Sequence, residues 1–328
     1  MPSAIIDAAN AHRFALLARE QATMQAMSVR WLGVERSLTT ATEALALQMA
    51  NGEEPVTASQ LFRSRRYQEL RTQLNAELRK YNGYADQTIA NGQRNMIGDA
   101  LNHSQALIAA AATEAQIVVP WNRLSVQNVE RMVGLAGDGS PLRAILDDAT
   151  AGAGDELAQR LVSGIALGQN PLEVARQALR AGVGQSLTRI QAISRSEMLR
   201  VYRITSLESY QASRVVKSYK RLSGRDGRTC PACLFADGEE YEIDHGFDAH
   251  VCCRCTTIPV LRNVPPVQYE TGREWFVRQP EATQRAILGK GRFEAWQSGA
   301  ANFDDMVRRE WSDTWGGSLQ TTRVRDLG

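Results

Sequence analysis

All five cysteines of this 328-residue chain, and two of its four histidines, lie in one short stretch. It reads Cys230-Pro-Ala-Cys233, then an acidic segment containing His245, then His250-Val-Cys-Cys253-Arg-Cys255. A CxxC knuckle brings two sulfurs to one point. An extended CxC sends two more to one face, because strand side chains alternate. Soft thiolates with an imidazole beside them, in this number, fit tetrahedral zinc. The candidate ligands are Cys230, Cys233, Cys253 and one of Cys255 or His250, with Cys252 as the spare. These donors can close the coordination sphere by themselves, so a structural zinc is expected, not a catalytic one with an open position. Free thiols packed in a core and disulfides are the competing readings; the odd cysteine count and the absence of a secretory pattern weigh against disulfides.

The formal net charge is only +2, which argues against bulk electrostatic coating of nucleic acid. No basic segment followed by a long apolar run opens the chain, and no stretch approaches the ~20 apolar residues of a membrane span. A chain made in a reducing cytoplasm, with no membrane partner, is the expectation.

The fold expected is mainly α, with a long N-terminal helical hairpin and a small α+β zinc-binding module. Residues 1–119 read as the hairpin. Its first helix covers residues 3–50, starting at Ser3, with Met24, Met27, Trp31, Val34, Leu38, Ala41 and Leu45 as a heptad-like seam. Its second starts at Thr57 or Ser59 and carries Tyr67, Leu70, Leu74, Leu78 and Tyr81; Gly83, Gly92 and Gly98 are expected to weaken or kink it. A helical middle domain follows at 120–213. It includes a short helix capped by Ser125, a restart at Asn170-Pro171, a stop near Gly182 and Gly184, and a long helix over 185–212. The cysteine-rich module spans 214–270, with strands expected at Val215–Leu222 and Thr256–Val260. Residues 271–328 read as helical and aromatic-rich, ending in an extended tail from Gly316.

Glu197 falls on the apolar stripe of the long helix, in line with Ile190, Ile193, Val201 and Ile204. A carboxylate there needs a partner. The strand and turn that follow offer Arg221, Arg225 and Arg228, so a structural ion pair with one of them is expected, while Glu208 is expected to be exposed and unpaired. No phosphate-binding GxxxxGK[ST] loop, HExxH or GxSxG is present. Asp244-His245 is the one adjacent acid–base pair near the module, and it leaves open a zinc-stabilised nuclease or hydrolase. The basic set Lys217, Lys220, Arg221, Arg225 and Arg228 leaves open a nucleic-acid-binding adaptor.

The segment Arg221-Leu-Ser-Gly-Arg-Asp-Gly-Arg-Thr-Cys230-Pro-Ala-Cys233, with Asp237-Gly238 and His250-x-x-Cys253-Arg-Cys255-Thr256, resembles the signature of the phage Mu protein F-like head morphogenesis family of tailed phages. Arg195-Ser196-Glu197 and Gly168-Gln-Asn-Pro171 upstream, and Trp275, Gln279-Pro280-Glu281 and Ile287-Leu-Gly-Lys290 downstream, extend the likeness over about residues 120–310. Val251, where the family usually has proline, and the extra Cys252 depart from it. The resemblance implies a non-enzymatic minor capsid protein, present in several copies in the virion head near the portal vertex and assembled in the host cytoplasm. Its implied partners are the portal protein, other capsid proteins and packaged DNA, and its implied roles are head assembly, DNA packaging or DNA ejection.

Overall fold

A computed structural model describes residues 3–52, 57–118, 124, 126–226, 229–312 and 316–327. Two compact units emerge, each drawn from separated stretches: Met1–Arg19, Gly92–Gly139 and Ser196–Gly328 form the first, and Glu20–Asn91 with Ser140–Arg195 the second. These units cut across the four consecutive segments read from the sequence.

Helices α1 (Ala4–Ala50) and α3 (Arg65–Glu114) contribute to both units, and in each they pair antiparallel. In the second unit the Tyr81 hydroxyl donates to the Met27 carbonyl at 3.0 Å, and Gln73 to that of Ser37 at 2.6 Å. Trp31 stands edge-on to Tyr81, with ring centroids 4.5 Å apart. The predicted seam is buried at Met24, Met27, Trp31, Val34, Leu38 and Leu45, but Ala41 is only half-buried and Thr42 takes its place. A real helix turns every 3.6 residues, so a strict heptad drifts and the buried stripe slips by one position. Around this pair sit α5 (Leu142–Thr150), α6 (Ala153–Ala166) and α7 (Pro171–Leu179). Asn170 caps α7 as expected, accepting from the Leu172 and Glu173 amides. The expected stop near Gly182 is instead a π-helical turn, Arg180–Gly184, that leads into α8 (Gln185–Ser213). Gly182 is required there, since a Cβ would meet the Ala153 carbonyl oxygen at 2.6 Å.

In the first unit the Ser3 hydroxyl does not cap α1. It donates to Glu114, whose carboxylate accepts from the Ile5 amide at 3.1 Å and so closes the helix end from the other strand of the pair. Thr57 begins a separate short helix, α2 (Ala58–Arg63), through a capping box with Gln60; this lies in the second unit. Helix α3 runs on through Gly83, Gly92 and Gly98 without a break, and Gly92 leaves room for the Met198 side chain of α8. Helix α4 is Val126–Glu130; the expected cap at Ser125 lies outside the described residues.

The sheet beside the cysteines has the order β2-β1-β3, all antiparallel: β2 is Glu240–Glu242, β1 Val216–Leu222 and β3 Thr256–Leu261. Strand β1 is buried on both faces, so its pattern does not alternate cleanly. One face packs on Ile5, Leu107, Ile108, Leu207 and Tyr210. Helices α9 (Pro231–Phe235), α10 (Gly272–Val277), α11 (Glu281–Leu288) and α12 (Lys290–Gln297) bury a second cluster around Phe235, Phe276 and Phe293. The extended tail expected after Gly316 is instead half of a hairpin: β4 (Val307–Ser312) pairs with β5 (Gly316–Thr321). Leu319 is fully buried, which anchors a segment that polarity alone reads as loose. No helix among the described residues is long and apolar enough to cross a membrane.

Candidate metal centre

Strand β1 and the turn after it deliver Cys230 to the start of α9. Cys230 is the N-cap, with its sulfur 3.4 Å from the Cys233 amide, and Pro231 fills the first helical position, where no amide is needed. The knuckle is therefore one helical turn with both sulfurs on one side. The second half comes from the segment entering β3. Cys252 adopts φ +63°, and the Cys253 amide donates back to the His250 carbonyl at 3.0 Å. That tight turn, fastened by the Cys252 amide donating to Ser196 Oγ at 3.0 Å, aims Cys253 and Cys255 inward.

The donors meet in two overlapping triads, Cys230–Cys233–His250 and Cys233–Cys253–Cys255, each with all ligand atoms within 4.8 Å of one another. Cys233 belongs to both. Cys230 Sγ and Cys233 Sγ stand 3.2 and 3.1 Å from His250 Nε2, and Cys233 Sγ is 3.8 Å from Cys253 Sγ. With Zn–S bonds of about 2.3 Å, a tetrahedral site has an S···S edge of about 3.8 Å. The donor chemistry and this edge fit a single thiophilic cation. Cys252 stands apart from both triads, as the sequence suggested.

Positive charge surrounds the sulfurs. Arg221 is 1% exposed, and its Nη2 lies 3.3 Å from Cys233 Sγ and 3.4 Å from Cys253 Sγ, while Nη1 donates to the Asp248 carbonyl at 2.8 Å. Arg203, also buried, donates to the carbonyls of Cys255, at 3.0 Å, and Cys253. Both guanidinium groups lie over the Phe247 ring. Hydrogen bonding from Cys233 holds the Cys230 thiol down at about 4 against the cost of burial. Cys253 is likewise lowered by its contacts with Cys233 and Cys255, while the bond to Cys230 pushes Cys233 up. Such depressed thiols are ready metal ligands, since it is the thiolate that binds.

The expected ion pair is arranged differently. Glu197 is fully buried, but its partner is Arg200, one helical turn on, with Oε2 accepting from Nε at 2.8 Å and lying 2.7 Å from Nη2. Arg221 is committed to the sulfurs, and Arg225 pairs with Asp237 at 2.9 Å and with Glu270 at 3.8 Å; Arg228 lies outside the described residues. The i,i+3 spacing of Glu197 and Arg200 was the signal available in the sequence. Glu208 is not exposed and unpaired: it is half-buried, 3.9 Å from Arg131, and burial raises its pKa. His245 faces Asp248 at 3.4 Å, not Asp244. Arg200, Glu208, Asp244, His245 and Asp248 line a cavity of about 490 Å³ beside the cluster, walled by Ile204, Leu207, Ile243, Phe247, Val251 and the exposed Trp311.

Residues 155–258 match the family described as Phage Mu protein F like protein. The match is a likeness to that family over under half of the chain. The matched span ends just after Cys255 and takes in the whole cluster, but it is shorter than the 120–310 over which the resemblance was read. No curated protein matches the chain, and no solved structure does. The F-like domain points to phage head morphogenesis, with other head components as partners and the virion as the setting.

Proposed function

We propose that this chain is a structural minor head protein of a tailed phage, placed at the portal region of the capsid in several copies, and acting in head assembly, DNA packaging or DNA delivery. The observation that carries the reading is the F-like domain over residues 155–258, with its cysteine–histidine cluster intact. The cluster acts as a structural zinc site that fastens the β1–β3 sheet to α8 and α9.

A non-enzymatic role is supported by how the polar groups of the adjoining cavity are used. Arg200 serves Glu197 and the Leu135 carbonyl, Arg203 serves two loop carbonyls, and Asp248 holds both His245 and Arg309. The basic strand is similarly neutralised: Lys217 pairs with Glu240 and Arg225 with Asp237. That favours docking to protein over tracking a nucleic-acid backbone. The test is cross-linking mass spectrometry on purified heads of the parent phage. Cross-links to the portal, together with heads that fail to package or deliver DNA when the protein is missing, are expected. Its absence from heads at every assembly stage refutes the proposal, and loss of a nuclease activity in His245→Ala with the fold intact would replace it with the hydrolytic reading.

A further inference from the structure

We propose that the metal is held by Cys230, Cys233, Cys253 and His250, that Cys255 stays outside the sphere, and that Arg221 is the positioning residue that neutralises the metal–thiolate charge. The inference rests on the structural zinc reading above and specifies its donors.

His250 is already oriented as a ligand. Its Nδ1 lies 2.7 Å from the Val251 carbonyl oxygen, a distance that requires Nδ1 to carry the proton and donate it. In the neutral ring Nε2 is then the lone-pair nitrogen, and Nε2 is the atom facing the sulfurs of Cys230 and Cys233. A ring fixed by donating its other N–H to a backbone carbonyl is the usual second-sphere arrangement of a metal-bound histidine. Cys253 is drawn from the second triad as the fourth donor, its sulfur standing at the tetrahedral edge distance from the shared Cys233.

The hydrogen bonds of Arg221 agree with three thiolates. Arg221 is buried, permanently cationic, and has no carboxylate within ion-pair reach among the described residues; its Nη2 hydrogen-bonds the sulfurs of Cys233 and Cys253, and it also attracts the Cys255 sulfur. One divalent ion with three thiolates and a neutral imidazole carries a single negative charge, which one guanidinium at those two sulfurs cancels. Arg203 also favours the Cys253 thiolate, but its hydrogen bonds go to the backbone carbonyls of Cys253 and Cys255 and its face lies on Phe247.

X-ray absorption on the zinc-loaded full chain tests the donor set without any substitution. A shell of three sulfurs and one nitrogen is expected, and four sulfurs overturns the assignment while leaving the zinc site standing. Protein that binds no zinc at all refutes both. Two variants then test the roles: Cys255→Ser should keep one zinc per chain against a chromophoric chelator, and Arg221→Gln should bind zinc about 10–100-fold more weakly, the range for loss of an outer-sphere partner. Arg221→Lys, which keeps the charge but not the fork, should fall between Arg221→Gln and wild type and guards against simple misfolding of the Gln variant. Loss of zinc from Cys255→Ser, or unchanged affinity in Arg221→Gln, overturns the proposal.

Discussion

Removing Arg200 should strand a carboxylate that cannot reach water. Glu197 has a side-chain exposure of 0%, and its Oε2 is shared by Nε and Nη2 of Arg200. Its other oxygen, Oε1, makes no hydrogen bond of normal geometry among the described residues, although the Gly137 amide favours the charged form. Burial raises the Glu197 pKa, with Arg200 the largest opposing influence. In Arg200→Ala the carboxylate escapes by taking a proton. From the ordinary value of 4.5 to pH 7 is 2.5 units, so protonation costs about 3.4 kcal/mol at about 1.4 kcal/mol per unit. That lies within the ~3–5 kcal/mol expected for breaking a buried pair from one side. Glu197→Ala leaves a cavity and an Arg200 that is 20% exposed and can partly hydrate, so a similar loss of about 3 kcal/mol is expected. Glu197→Gln keeps shape and one acceptor and should cost about 1–2 kcal/mol.

The pH dependence separates this account from simple packing loss. A carboxyl whose folded pKa is raised binds more protons folded than unfolded, between its unfolded value and its raised folded value, so stability falls as pH rises through that window. Arg200→Ala raises the folded value further. Its deficit against wild type should therefore be largest near pH 7 and shrink as pH falls toward 4.5. Urea unfolding of metal-loaded protein, followed by circular dichroism across that range for both single variants and the double variant, gives the coupling. Additivity within about 0.5 kcal/mol, or a deficit that does not change with pH, refutes the reasoning.

Stripping the metal with a chelator should raise hydrogen exchange across residues 214–261 while the α1–α3 pairing in the second unit stays protected; uniform protection throughout would count against a metal staple. His12 and His103 stack with centroids 3.9 Å apart, facing Tyr202, Asp99 and Arg19, and burial pulls both pKa values down, His103 to about 4. A base depressed in the fold stabilises fully above its unfolded value of 6.5 and loses that contribution as pH falls toward about 4, so His103→Gln should flatten the acid side of the melting-temperature profile. An identical profile would show that the pair does not titrate with unfolding. Gly272→Ala should destabilise by about 2 kcal/mol or more in urea unfolding, because the added Cβ would lie 2.0 Å from the Leu234 carbonyl oxygen, a backbone atom that cannot swing away.

The sequence showed the cysteine cluster because its chemistry is local: ligand spacing encodes a knuckle whatever the surrounding fold. The stripes on α1 and α3 were legible for a similar reason, each being a property of one helix. What was missed depended on other elements. The hairpin of β4 and β5 hides because Arg308, Arg309 and Glu310 read as solvated, yet Arg309 is drawn to Asp248 at 2.8 Å and Leu319 is buried. The π-turn at Gly182 follows from the approach of the Ala153 backbone, which nothing near residue 182 announces. For Glu197 the three arginines after α8 look like the natural partners, yet the helix itself supplies Arg200 three residues away.

Arg221 shows most clearly why the cluster could be found while its surroundings could not. In sequence it is one of five basic residues between 217 and 228 and looks like a solvated charge. In the fold the same position faces inward, because β1 is covered on both sides and neighbouring positions cannot all turn outward. A buried guanidinium is tolerated only where anionic or carbonyl groups surround it. The loop from Gly246 to Cys255 supplies the Asp248 carbonyl, the Phe247 face and the Cys253 sulfur, and the sulfur of Cys233 on α9 adds a further contact. Arg203 from α8 holds the same loop by the Cys253 and Cys255 carbonyls. The loop offers few apolar side chains, so its position depends on these two cations and on the metal ligands together. On the proposed zinc reading, metal binding would be coupled to the seating of α8 against the β1–β3 sheet, a connection that spacing between cysteines alone does not encode.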